Sequence, residues 1–374
     1  MLNRSFLALV LVLVVIVQGI SSALEPQPPA SNFEVQKLAE GVYAVVRKDL
    51  PGFMVDANNV FIINDDHVVV VDSNGAPSIT KEVVGALRKI TNKPVKYVIN
   101  THWHDDHIRG NQVYRDNFSG VEFIAHTATR EYLPNQGAIN RKQFLEQAPQ
   151  FLEAMKDSLA KNKSLTGSDL TAEERASYTS DISLAGFVLS EGASAQTILP
   201  TITLESTLRL HSGNRVIDII HLGSGHTAGD IVVHLPNERI VVTGDLVVWP
   251  VPLVGDPQSH IREWPATLTK LLALNAATIV PGHGPVMRDD SYIKTLVDMF
   301  TSITQQTEAA VARGETLQQV RKSVKLDEFR NKLAGDSPVR KLLFGAYVAS
   351  PAVAAAFREA SKKKPAGGSL AGLG

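Results

Sequence analysis

The chain of 374 residues contains no cysteine. That excludes disulfides, thiolate metal ligands and a cysteine nucleophile, so any metal site must be built from histidine, aspartate and glutamate. Net charge is also nearly absent. Thirty-seven basic and 38 acidic side chains leave −1, with no basic field of the kind that binds nucleic acid or an anionic membrane surface. No Gly-x-Ser-x-Gly elbow occurs, so a serine-nucleophile route has little support. Long apolar runs are missing too. Phe6 to Val17 is an unbroken run of 12 residues, short of the roughly 20 that a membrane span needs.

That short run follows Arg4, ends at Gln18 and is followed by Gly19-Ile20-Ser21-Ser22-Ala23. Small residues at minus three and minus one of a cut after Ala23 have the form of an export signal. The expectation is an exported chain, periplasmic or secreted, with no stable membrane insertion after cleavage. A proline-containing tether follows, and the lysine-, alanine- and glycine-rich tail is expected to be disordered.

The body of the chain alternates strand and helix patterns. Gly41 to Arg47 alternates loosely. Asn59 to Ile63 and Val68 to Val71 are β-rich runs around Asn64-Asp65-Asp66-His67, which predicts a hairpin. Ser78 to Ile90 has helical spacing, with Ser78 read as its cap. Val95 to Ile99 and Val121 to His126 read as strands. Gln143 to Leu159 is helical, and Thr171-Ala172-Glu173-Glu174 resembles a capping box. Thr201 to Leu210, Arg215 to Ile220, Ile231 to Leu235, Arg239 to Val242 and Ala277 to Val280 follow as strands, with a helix at Thr267 to Leu274 and mostly helix after Ser291. The order predicts an α/β layer with its site at the carboxyl ends of the strands.

The strand Val95 to Ile99 delivers the most informative segment, His102-Trp103-His104-Asp105-Asp106-His107. In a loosely extended chain, residues two apart point the same way, so His102 and His104 can share one cation. A turn would carry Asp106 and His107 to a second. Downstream, His226 lies in Gly225-His226-Thr227, Asp245 follows the strand ending at Val242, and His283 lies in Pro281-Gly282-His283-Gly284. Glycines beside a histidine let the backbone turn tightly and approach a ligand, and the carboxylate of Asp245 has two oxygens with which to bridge two cations. Zinc suits a donor set dominated by histidine; iron and manganese are the alternatives.

These motifs resemble those of the metallo-β-lactamase fold superfamily: His-x-His-x-Asp-His, a Gly-His-Thr histidine, a bridging aspartate and a late Gly-His, over roughly residues 33–288. The resemblance implies an αββα sandwich with a site for two metals at its edge. It implies that His102, His104 and His226 hold the first metal, that Asp106, His107 and His283 hold the second, and that Asp245 bridges them. Asp72 matches the aspartate that supports the ligand loop. The implied organisation is a signal peptide at 1–23, a linker at 24–32 and a hydrolase domain at 33–290 with a helical insertion at 130–190. A helical C-terminal extension at 291–360 and a tail at 361–374 complete it.

A cation pair of this kind acidifies a shared water, and Asp106 is the residue expected to orient the resulting hydroxide. The implied substrate is a small molecule, with no nucleic acid partner and no oligomeric state that can be read from the chain. β-Lactamases of this fold carry cysteine or serine where Asp245 stands, and an aspartate there is the pattern of the thioesterase and lactonase branches. Quorum-sensing lactonases have a tyrosine where Val248 stands, and the basic residues of glyoxalase-type thioesterases have only Arg321, Lys322, Lys325 and Arg330 as unassigned counterparts. The expected activity is therefore hydrolysis of an ester, lactone or thioester, with β-lactam amides as an alternative and a non-enzymatic metal-dependent binding or helper protein as another. Trp103 and Asp105 are expected to pack or support rather than touch substrate. Trp249, Pro250, Pro252 and His260 are expected to line the pocket, with His126 and His221 at lower rank.

Overall fold

The computed structural model describes residues 32–255 and 257–362. The export segment with its cut after Ala23, nearly all of the tether, and the tail from residue 363 lie outside the described residues.

Four valines show how the layers arise. Val68–Val71 form one strand in which every side chain is buried. Successive side chains point to opposite faces of a strand. Val69 and Val71 therefore enter a core shared with Ile217, Ile219, Val233 and Val242 of the second sheet. Val68 and Val70 enter another core with Val83, Val84 and Leu87 of a helix. A strand buried on both faces reads as a continuous apolar run rather than an alternation, and each buried valine contributes about 1.5–3 kcal/mol of transfer free energy.

The first sheet runs β1 (Phe33–Ala39), β2 (Val42–Arg47), β3 (Asn59–Ile63), β4 (Val68–Val71), β5 (Val95–Ile99), β6 (Glu122–His126), β7 (Ile202–Leu204), in that spatial order. It is antiparallel from β1 to β4 and parallel from β4 to β7. The second sheet contains β8 (Thr207–Ser212), β9 (Arg215–Ile220), β10 (Val232–Leu235), β11 (Ile240–Val242) and β12 (Thr278–Val280), ordered β12-β11-β10-β9-β8.

Helix α1 (Pro77–Ile90) covers the outer face of the first sheet. Two short helices, α2 (Asp105–Ile108) and α3 (Asn111–Asn117), follow β5. Helix α4 (Thr127–Tyr132) leads through a π-helical turn, Leu133–Gly137, into the long α5 (Ala138–Lys161), which packs on α6 (Ala172–Gly192). The outer face of the second sheet is covered by α7 (Trp264–Ala273) and α8 (Ser291–Ala312), where Trp264, Leu268, Leu296 and Phe300 bury Val232, Val241 and Ile279. Four further helices close the described chain: α9 (Leu317–Ser323), α10 (Asp327–Ala334), α11 (Pro338–Phe344) and α12 (Ser350–Lys362). The architecture is an αββα sandwich with helical additions. Among the described residues, no helix is long and apolar enough to cross a membrane.

Two sequence expectations need correction, and one strand had gone unread. Thr201 to Leu210 is two strands: β7 closes the first sheet and β8 opens the second, with the break at Glu205-Ser206. Ser78 does not cap α1. The N-cap is Ala76, with Pro77 in the first turn, where its missing N–H costs nothing, and Ser78 bonds through Oγ to Glu191 instead. Strand β1 had no clear signal, because it is an edge strand whose two faces are both partly exposed. The capping box at Thr171 and Glu174 forms as read.

Candidate metal centre

The site lies where β4, β5 and β11 end. Strand β5 runs out at Ile99, and residues 101–104 form an irregular bend before α2 begins at Asp105. That single helical turn swings Asp106 and His107 away from the line of His102 and His104. Across the sandwich edge, His226, Asp245 and His283 come from the loops after β9, β11 and β12. All seven side chains converge. Ligand atoms of His102, His104, His226 and Asp245 lie within 4.8 Å of one another, and so do those of Asp106, His107 and His283.

Asp245 joins the two groups. Its Oδ2 lies 3.4 Å from His226 Nε2 and 3.9 Å from His102 Nε2. Its Oδ1 lies 3.2 Å from His107 Nε2 and 3.3 Å from His283 Nε2. One carboxylate thus presents an oxygen to each histidine cluster. Asp106 Oδ2 completes the second cluster at 3.2 Å from His283 Nε2.

The residues fit a pair of cations. His102 Nε2, Asp106 Oδ2 and Asp245 Oδ1 are buried without a hydrogen bond, which is costly for groups of this kind unless something else satisfies them. Ring nitrogens face each other, His104 Nδ1 and His226 Nε2 at 2.8 Å, and His107 Nε2 and His283 Nε2 at 3.3 Å. Burial and the neighbouring His226 hold His104 down to about 3, so its ring is neutral and its lone pairs are available. At the second cluster burial also pulls His283 down, but Asp245 and Asp106 outweigh it and lift it to about 10. Two buried carboxylates there demand positive charge. The nitrogen–oxygen donor set is that of a dinuclear divalent site, zinc above others.

In three of the histidines the other ring nitrogen is fixed, which sets the tautomer. His107 Nδ1 lies 2.8 Å from Asp72 Oδ2, His226 Nδ1 is 2.7 Å from Leu253 O, and His283 Nδ1 is 3.0 Å from Asp56 O. Asp72 also accepts from Thr101 N and Thr101 Oγ1. Two glycines permit the close approach. A Cβ on Gly282 would sit 2.0 Å from Asp245 Oδ1, and Gly244, at φ +51°, would place one 2.5 Å from Thr101 Oγ1.

Beside the centre lies a cavity of about 220 Å³ lined by His104 and Asp106, and otherwise mainly by apolar side chains: Phe53, Met54, Trp103, Phe144 and Val188. A smaller one, about 60 Å³, reaches His283 between Trp249, Pro250 and Tyr347. Met54 and Val55 line both. Trp249 and Pro250 are therefore where the sequence placed them, whereas Pro252 and His260 line neither. Trp103 packs on Ile108 and Leu133 and stacks on Tyr132, and Asp105 pairs with Arg141, yet both also form cavity wall. His126 accepts from Ala128 N, and His221 Nδ1 lies 2.8 Å from Asp230 O; the two rings pack together at 4.3 Å, outside both metal clusters.

The segment 50–55 was missed by sequence reasoning, having no periodicity and no chemistry-bearing motif. It is held over the site by Asp181, which accepts from Phe53 N and Met54 N at 2.9 Å, and by Tyr347, which donates to Phe53 O. Phe144 and Arg141 of α5 were missed for a different reason. Helical periodicity announces a buried face but not what that face meets.

A family model described as the metallo-beta-lactamase superfamily matches residues 54–283. The chain belongs to this superfamily, and its converging histidines and aspartates form a site for two metals. It is 26% identical over 298 residues to a linear primary-alkylsulfatase from Pseudomonas sp. (strain ATCC 19151), a match covering 74% of this chain and 51% of that protein. The chain thus spans about half the length of that relative. It is 25% identical over 239 residues to a metallo-beta-lactamase type 2 from Bacillus cereus, covering 63% and 70% of the two chains. A solved metallo-beta-lactamase from Pontibacter korlensis aligns with a TM-score of 0.49 and 20% identity over 72% of this chain and 99% of that one.

Proposed function

We propose that the protein hydrolyses a small carboxylic ester, lactone or thioester whose apolar part occupies the cavity beside His104 and Asp106. The observation that carries this reading is the apolar wall formed by Phe53, Met54, Trp103, Phe144 and Val188 next to the two ligand residues that line that cavity. Apolar walls with a few placed polar groups are what small-molecule sites are made of. Bound at the two clusters, divalent cations supply a hydroxide at neutral pH and Lewis acidity towards a carbonyl oxygen.

The chain's own residues do the rest. Asp106 is the most exposed carboxylate of the centre, at 22% against 2% for Asp245. It can therefore accept a hydrogen bond from the attacking water and hold it against the carbonyl. Asp245, tied between four histidines, has no such freedom and acts as a bridge. Trp103 and Phe144 bind the acyl chain and exclude water from the reacting carbonyl.

A primary alkyl sulfate is the second reading, favoured by the similarity to the alkylsulfatase over 74% of the chain. A series of 4-nitrophenyl esters of rising acyl length, dodecyl sulfate and a chromogenic cephalosporin separate the readings. The ester reading expects kcat/KM to rise with acyl length and to vanish on chelation. Faster turnover of dodecyl sulfate or the cephalosporin than of any ester would overturn it. We also propose that the chain is exported, on the apolar run Phe6 to Val17 and the small residues before Leu24. An intact N-terminus on protein recovered from cells would refute that.

A further inference from the structure

The cavity wall contains one cationic fork, Arg141, and a second guanidinium close to it has no carboxylate of its own. Arg141 on α5 donates from Nε to Asp105 Oδ2 at 2.9 Å, from Nη2 to Asp105 Oδ1 at 2.6 Å, and from Nη1 to Thr197 Oγ1 at 3.0 Å. A guanidinium has five N–H donors, so about two of those on Arg141 remain after these bonds. Behind it lies Arg109, 2% exposed. Arg109 donates to Thr197 Oγ1 at 3.3 Å and to the carbonyls of Gly192 and Ala195. All of its partners are neutral. A guanidinium stays protonated inside proteins, so Arg109 brings a second positive charge.

Two guanidinium charges therefore share one threonine hydroxyl and face one carboxylate, Asp105. Nearby Lys142 and Glu146 lie 3.9 Å apart on the exposed side of α5, so they offset each other. The corner carries an excess of positive charge beside an otherwise apolar wall. Asp106, the other carboxylate of the cavity, is turned to His283 and His107 rather than to Arg141. Buried or half-buried charge of one sign is unfavourable unless an opposite charge answers it, and a guanidinium fork is the geometry that grips a planar anion.

We propose that Arg141 is a specificity-determining residue that binds a carboxylate carried by the substrate at the end of its apolar chain remote from the scissile bond, with Arg109 adding charge from behind. This rests on the ester reading above and narrows it to acids esterified at one end and ionised at the other.

Two matched pairs of compounds test it on the metal-loaded protein. Glutarate and pentanoate each carry one carboxylate that can reach the cations, but only glutarate carries a second for Arg141. By calorimetry, the wild type should bind glutarate about tenfold more tightly than pentanoate. Arg141→Met should bring the two affinities together, and Arg141→Lys, which keeps the charge but not the fork, should restore part of the preference. Equal affinities in the wild type overturn the proposal whether or not any ester is turned over, so the result does not depend on the variants folding. The second pair, mono-4-nitrophenyl glutarate and 4-nitrophenyl pentanoate, shares a leaving group. A lower KM for the glutarate ester that disappears in Arg141→Met supports the assignment. Equal KM values for the two esters sink the Arg141 assignment and leave the ester reading standing. No turnover of either sinks the ester reading, while the binding pair still decides the role of Arg141.

Discussion

Asp72 Oδ2 lies 2.8 Å from His107 Nδ1, and the other oxygen of the same carboxylate accepts from the backbone N–H of Thr101. One side chain therefore holds both the bend that carries His102 and the ring that carries His107. Asp72 does this from a left-handed backbone, φ +57°, which aspartate and asparagine tolerate better than other residues.

That tolerance makes Asp72→Asn a clean probe, because the backbone survives the change. An asparagine NH₂ turned towards His107 Nδ1 would need an acceptor there. The ring proton would move to Nε2, the atom that faces Asp245 and His283. The expected result is a second cation bound about 10–100-fold more weakly, with the first little changed. Calorimetric metal titration checks it, and two unchanged binding steps would refute the role given to Asp72.

Asp106 sits in only one of the two clusters, whereas Asp245 touches both. Their replacement should differ in kind. Asp106→Asn should keep the cation held by His102, His104, His226 and Asp245 and lose at least about 100-fold in kcat. Asp245→Asn should lose both cations. Metal content per chain, measured beside the rate, separates the two cases. If Asp106→Asn retains near-normal turnover, Asp106 does not orient the water.

Much of this centre was legible in the chain because its chemistry is local. His102 to His107 lie in one hexapeptide, and the hairpin around Asn64–His67 and the capping box at Thr171 are set by neighbouring residues. What stayed hidden was whatever depends on distant partners. Glu205-Ser206 marks the step from one sheet to the other, yet nothing in the run Thr201 to Leu210 shows it, since both halves are β-rich. Ser78 has the composition of a cap, but Glu191, 113 residues away, takes its hydroxyl. Arg141 and Phe144 look like any half-exposed helix until α5 is laid beside Trp103 and Asp105.

Gly282 shows how little room the second cluster leaves. A Cβ there would lie 2.0 Å from Asp245 Oδ1 and 2.9 Å from the carbonyl carbon of Gly244. The backbone cannot yield, because Gly282 N already donates to Gly244 O and Val247 O. Gly282→Ala should displace the bridging carboxylate, reduce bound metal below two per chain and cost about 1–3 kcal/mol of stability. Denaturant unfolding and metal analysis test both halves, and a fully metallated, equally stable variant would show that the loop has slack.

Asp181 holds segment 50–55 over the cavity through two backbone N–H groups, with burial lifting its carboxyl to about 6 despite those bonds. In the unfolded chain the same group titrates near about 3.9. Between those values the folded protein keeps a proton that the unfolded chain has lost. The stability this contributes is therefore complete below about pH 4 and disappears as pH rises through about 6. Asp181→Asn cannot titrate, so it serves as the reference. The stability of the wild type relative to Asp181→Asn should fall between pH 4 and 7, by up to about 3 kcal/mol. Urea unfolding of both proteins at each pH measures that difference while other titrations cancel. A difference that is flat, or that rises with pH, would mean that the two N–H bonds outweigh burial and that Asp181 clamps the segment as a carboxylate throughout.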